Sequence, residues 1–108
     1  MIVHFGLIIN KNFRAFTFYP FIFIKNKEDL TNKMLINHEK IHLKQQIELL
    51  IIFFFIGYFL EFIWNYFRFK SFMKAYRNIS FEKEAYQNEA NLNYLKTRKR
   101  YSFFKYPP

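Results

Sequence analysis

Ile36-Asn37-His38-Glu39-Lys40-Ile41-His42-Leu43 is the stretch on which the reading of this chain turns. Two histidines four residues apart lie one above the other on a helix, and the intervening Glu39 lies beside them. The pattern His-Glu-x-x-His on a helix sets two imidazoles and a carboxylate around a zinc ion. No Pro or Gly interrupts the chain from Met34 to Gly57, so the stretch reads as one long helix that begins near Asp29 or Thr31, either of which can cap it.

Upstream, Ile2 to Ile24 reads as β structure: β-branched and aromatic runs broken by Asn10-Lys11-Asn12, which is turn material. Phe13, Ala15, Thr17 and Tyr19 alternate with Arg14, Phe16 and Phe18, and Pro20 predicts a sheet edge or a bulge. A hairpin with an irregular edge follows, then a polar stop over Lys25 to Asp29. Downstream, Leu49 to Leu60 carries no charge, and with Glu61 to Phe67 it forms a long apolar block. The uncharged run is shorter than the ~20 residues that a spanning helix needs. Asn78-Ile79-Ser80 reads as the start of a further helix, Phe81 to about Leu95, with Ser80 or Asn78 as cap. The chain therefore reads as α+β and mostly α, a single domain over residues 1–108.

Composition limits the chemistry. The 108 residues contain no Cys, which excludes a disulfide framework and cysteine ligation of a metal. The first ten residues have no charged start and no small-residue cleavage site, so they are not read as a signal peptide. The net charge is +9, yet Lys and Arg are absent from Gln45 through Phe67 and crowd both flanks. Basic flanks around an apolar centre suit an anionic membrane surface better than a nucleic-acid groove, and no nucleic-acid recognition motif is present. The cluster Lys96-Thr97-Arg98-Lys99-Arg100 reads equally well as a solvated basic tail.

A catalytic zinc site takes three protein ligands and keeps one position open. His38 and His42 are two of them, and Glu39 is placed to act as general base toward water. No histidine follows His42, so the third ligand is an acid or else His4, and the candidates are Glu48, Glu61, Glu82, Glu84 and Glu89. Glu82, Tyr86 and Glu89 share one helix face. Acids such as Glu84, in a first turn, equally well do no more than complement the helix dipole.

The His38-Glu39-x-x-His42 motif, followed about forty residues later by Glu82-Lys83-Glu84-Ala85, resembles the gluzincin metallopeptidases, and most closely their short minigluzincin members. The resemblance covers roughly Ile36 to Ala90. It implies a zinc peptidase in which Glu82 is the third ligand and Ala85 a small packing residue. Membrane-bound relatives carry Asp or Asn where this chain has Tyr86; here Tyr86 or Glu89 is expected to support a zinc-bound histidine. The resemblance also implies that substrate lies as an extended strand against a sheet edge, either Phe13–Tyr19 or Phe21–Ile24.

Distance constrains the apolar block. A motif helix running on to Phe67 would end about 37 Å beyond His42, at 1.5 Å per residue, and the residues left could barely retrace it. The expectation is therefore an apolar helical hairpin, about residues 45–67, that turns near Gly57 and dips its tip into the membrane. Both ends of the hairpin, and the active site, would face the cytoplasm. A single span would separate the ligands and is rejected. The implied function is a membrane-associated zinc endopeptidase acting on a peptide or protein substrate, with an oligomer possible. The alternatives are a catalytically silent relative or a basic amphipathic protein that binds membrane or a partner.

Overall fold

The computed structural model of the protein describes residues 1–4 and 14–108. Three short strands come first: β1 (Ile2–His4), β2 (Ala15–Phe18) and β3 (Phe21–Ile24). They are ordered β1-β3-β2, with β1 parallel and β2 antiparallel to the central β3. The alternation expected of β2 is present, with Thr17 buried while Phe16 and Phe18 face out. On β3 the period-two pattern sends Ile22 and Ile24 into the core.

The turn expected at Asn10-Lys11-Asn12, and the strand residues expected over Phe5–Ile9 and at Phe13, lie outside the described residues. Within them the hairpin is β2–β3. It reverses at Tyr19-Pro20, whose peptide bond is cis. Pro20 thus sits in the turn, where its missing N–H deprives no ladder, and not on an edge or in a bulge.

A 3₁₀ turn over Lys27–Thr31 leads into α1 (Lys33–Glu48). The cap is neither Asp29 nor Thr31 but Asn32, whose side chain accepts from the Leu35 amide at 3.1 Å. Asp29 is buried instead, bonded to the Arg14 guanidinium at 2.7 Å. That hydrogen bond holds its carboxyl below the usual carboxylate range.

Helix α1 stops at a corner that the sequence did not mark. Leu50 takes the left-handed conformation (φ 55°) and donates to the Ile47 carbonyl, while the Ile51 amide reaches back to the Gln46 carbonyl at 2.7 Å. This is Schellman closure with leucine where glycine is usual. Ile51 (φ 66°, ψ −57°) then forms a tight turn, with the Ile52 amide on the Leu50 carbonyl at 2.6 Å. Each non-glycine residue held at positive φ costs roughly 1–2 kcal/mol.

The corner turns the chain by 112° into α2 (Ile52–Phe69). The reversal expected near Gly57 is therefore displaced to Leu49–Ile51, and no helical hairpin spans residues 45–67. Gly57 lies within α2, where an added Cβ would sit 3.6 Å from the Phe81 ring. Among the described residues no single helix is long and apolar enough to cross a membrane.

Lys70, also left-handed, ends α2, and α3 (Phe72–Arg77) folds back along it. The buried Asn65 amide ties the pair by donating to the Ala75 carbonyl at 3.2 Å. Next, α4 (Ser80–Asn88) begins without a cap of its own. Glu61 on α2 supplies one, accepting from the Ser80 amide at 2.7 Å and the Ser80 hydroxyl at 2.9 Å, so Ser80 and Asn78 do not cap it. A short α5 (Tyr94–Thr97) and a closing 3₁₀ turn over Ser102–Lys105 stand where one helix to Leu95 and an irregular tail were expected. Phe54, Ile79, Phe81 and Phe103 form an aromatic core beneath α2, flanked by Tyr58 and Phe62.

Candidate metal centre

Helix α1 buries an unusual face: Asn37, His38, Glu39, His42, Gln45 and Gln46 turn inward with Ile41. Polar groups out of water must find partners, and each of these does. The Asn37 amide donates to carbonyls at the end of α4, those of Glu89 at 2.8 Å and Asn91 at 3.0 Å. This locks α4 beside α1 and brings its acidic face onto the histidines.

Glu82 Oε1 lies 3.1 Å from His38 Nε2 and 3.2 Å from His42 Nε2, and the two nitrogens are 3.2 Å apart. The far nitrogens are both engaged by acceptors: His38 Nδ1 meets Glu89 Oε1 at 3.1 Å, and His42 Nδ1 meets Gln45 Oε1 at 2.7 Å. An acceptor at Nδ1 assigns the hydrogen to Nδ1, so in each neutral ring Nε2 presents a bare lone pair. Three lone pairs then converge on one point, which is stable only with a positive charge between them.

That charge can be a proton or a metal ion. Burial disfavours a charged His42, but the carboxylates of Glu82 and Glu39 outweigh it and raise its pKa from 6.5 to about 9. Burial likewise opposes charge on Glu82, yet His42 and the bonds from both imidazoles hold its carboxyl below the usual range. As to a metal, a tetrahedral ion about 2.1 Å from each ligand requires ligand atoms about 3.4 Å apart. The triangle of 3.1, 3.2 and 3.2 Å fits such an ion after a small expansion.

Glu39 completes the group: His38, Glu39 and His42 offer ligand atoms all within 4.8 Å of one another. Its carboxylate is tied to the sheet. Oε1 accepts the Thr17 hydroxyl at 2.6 Å, and Oε2 lies 3.9 Å from His38 Nε2. Thr17 is the inward residue of β2, so the sheet positions the Glu39 carboxylate beside His38.

No known protein family, curated protein or solved structure matches this chain.

Of the candidate third ligands, Glu82 alone is brought to both histidines through Nε2. Glu89 meets His38 from behind, Glu48 and Glu84 pair with Arg98, Glu61 caps α4, and His4 is exposed on β1. Tyr86 meets His38 through its ring (centroids 4.5 Å apart), while its hydroxyl lies 3.3 Å from that of Tyr76.

Besides Thr17, sequence reasoning missed four supporting residues. Tyr58 donates to Glu82 Oε2 at 2.6 Å, which leaves Oε1 for the histidines. Gln45, behind His42, donates onward to Glu84 Oε1 at 2.9 Å. Glu84 is not an exposed dipole partner: it is buried and takes the Arg98 guanidinium and the Tyr94 hydroxyl. Arg98 also grips Glu48 at 2.8 and 3.1 Å, and its side chain is 3 % exposed. So Arg98, at least, does not belong to a solvated basic tail. Gln45 follows His42 by three on the same face, and that spacing was the available signal. The other three carry no local pattern.

Proposed function

We propose that this chain is a zinc-dependent endopeptidase of gluzincin type, with His38, His42 and Glu82 as metal ligands and Glu39 as general base. The observation that carries the reading is the triangle of Nε2, Nε2 and Oε1 atoms with a fourth, unligated carboxylate beside it. Two nitrogens and one oxygen with no thiolate suit zinc among the divalent ions. Bound there, zinc would polarise a carbonyl and acidify water.

The chain's own residues divide the remaining work. Gln45 and Glu89 hold the imidazoles with Nε2 forward, as acceptors behind metal-binding histidines do. Tyr58 orients Glu82. Thr17 ties one oxygen of Glu39, so that Oε2 is the atom that takes the proton from attacking water and returns it to the departing amine.

Substrate is expected to be an extended peptide. Strand β3 is paired on both sides, so the Phe21–Ile24 edge expected from the sequence is not free. Strand β2 is the edge nearest Glu39. Part of it is taken, because the Gln46 side chain donates to the Thr17 carbonyl at 2.8 Å and accepts from the Tyr19 amide at 2.7 Å. Peptide pairing is thus confined to the Ala15 end of the strand.

The test combines elemental analysis with cleavage of an unstructured protein such as casein. Wild type should hold one zinc per chain and cut, and Glu39→Gln should keep the zinc and lose at least 100-fold in rate. Iron in place of zinc, or undiminished hydrolysis by Glu39→Gln, sinks the reading. Stoichiometric zinc with no turnover assigns the ion a structural role.

A further inference from the structure

Helix α2 separates its residues cleanly. Phe54, Tyr58, Phe62 and Asn65 face the protein, while Phe53, Ile56, Phe59, Leu60, Trp64 and Phe67 are each at least 50 % exposed. At 100° per residue those six lie within an arc of about 140° that runs the full length of the helix. The arc contains no charged side chain, and a continuous apolar surface of this kind marks an interaction site. Exposed cations border it: Lys44 before the corner, and Arg68, Lys70 and Lys74 at the far end beside Trp64.

The charge on the rest of the surface identifies the partner. Of the eight acidic side chains only Glu28 is exposed; the other seven are buried or half-buried in the pairs and caps described above. The outside of the molecule is therefore cationic nearly everywhere. A second copy would bring cations against cations with no acid to answer them. A nucleic acid would answer the cations and leave the apolar arc in water. An anionic lipid surface satisfies both.

We infer that α2 lies in the plane of an anionic membrane interface, its apolar arc among the acyl chains and Arg68, Lys70 and Lys74 among the headgroups. An amphipathic helix with aromatic residues and a basic rim adopts this position. Seated so, α2 neither spans the bilayer nor dips into it as a hairpin tip. The inference does not depend on the metal site.

Trp64 is the only tryptophan, so its fluorescence reports directly on the arc. The purified full chain is titrated with vesicles of phosphatidylcholine, with or without phosphatidylserine. Trp64 emission should shift to the blue and the protein should co-sediment with anionic vesicles, at least about tenfold more strongly than with neutral ones. High salt should reverse most of that difference. Lipids brominated near the headgroup end of the chain should quench Trp64 more than lipids brominated near its terminus. Phe59→Ser with Phe67→Ser should weaken binding at least about 30-fold. Lys70→Gln and Lys74→Gln should each weaken it roughly fivefold. Circular dichroism and metal content of all these variants should match wild type, which separates lost docking from lost folding. The inference fails if neither vesicle shifts Trp64, or if quenching is strongest at the chain terminus. It fails equally if the shift appears without lipid and grows with protein concentration, which identifies self-association, or if duplex DNA produces it and vesicles do not.

Discussion

Helices α1 and α2 meet at a 112° corner and reverse the usual rule of burial. The polar α1 turns Asn37, His38, Glu39, His42, Gln45 and Gln46 into the interior, while the apolar α2 turns eight large hydrophobic residues outward. Only Phe54 and Asn65 of its eighteen residues are fully buried. What separates the two helices is partnership. Each inward group on α1 finds an answering atom on α4, β2 or the C-terminal segment, so burial there is stable. The outward face of α2 has no answering surface among the described residues. Hydrophobic content alone therefore does not mark the interior of this protein, where a completed polar network is buried beside the apolar core.

Neighbouring phenylalanines put that contrast to the sharpest test. Phe54→Ala should cost about 3–5 kcal/mol and Phe53→Ala less than about 0.5 kcal/mol, measured by denaturant unfolding without lipid. Equal losses would mean that the apolar arc is covered after all. Arg98→Met should destabilise by about 3–5 kcal/mol, because it strands Glu48 and Glu84 inside. Adding Glu84→Gln and Glu48→Gln should recover most of the loss, and failure to recover would show that Arg98 acts by packing alone.

The pH dependence of the proposed metal site follows from His42. Its pKa is raised to about 9 in the metal-free chain, so below that pH a metal ion must displace a proton from it. Zinc affinity should rise about tenfold per unit, or about 1.4 kcal/mol, as pH climbs toward 9, and then level off. Titration calorimetry in buffers of different ionisation enthalpy should detect about one proton released near neutrality. An affinity flat over this range would remove the proton from the triangle. A modest gain is expected at the corner, where Leu50→Gly should stabilise by about 1 kcal/mol, because glycine adopts the left-handed conformation without strain.

The sequence disclosed most of the fold class and the outline of the site. His-Glu-x-x-His is a local pattern; the acids downstream left several candidate third ligands, and only the resemblance to the gluzincins singled out Glu82 among them. It did not disclose the corner, since Leu50 and Ile51 have no left-handed preference and Gly57 offered a more inviting place to turn. Nor did it disclose Arg98 within a basic run, or Glu84 in a first turn where any acid is favourable. Thr17 and Tyr58 contribute through one hydroxyl each. Their roles exist only once β2 and α2 are placed against α1, at sequence separations of 22 and 24 residues from the groups they hold.

Drawing nearly all the carboxylates inward also gives the molecule a layered electric field, negative at the candidate metal centre and positive outside. Incoming divalent ions meet a repulsive shell before they reach the attractive interior, so loading should be slow and should quicken as salt screens the shell. If the chain acts on peptides as proposed, acidic ones meet the opposite gradient and should be captured fastest at low ionic strength. Arrival rate would then sort ligands by sign before any of them touches Glu39.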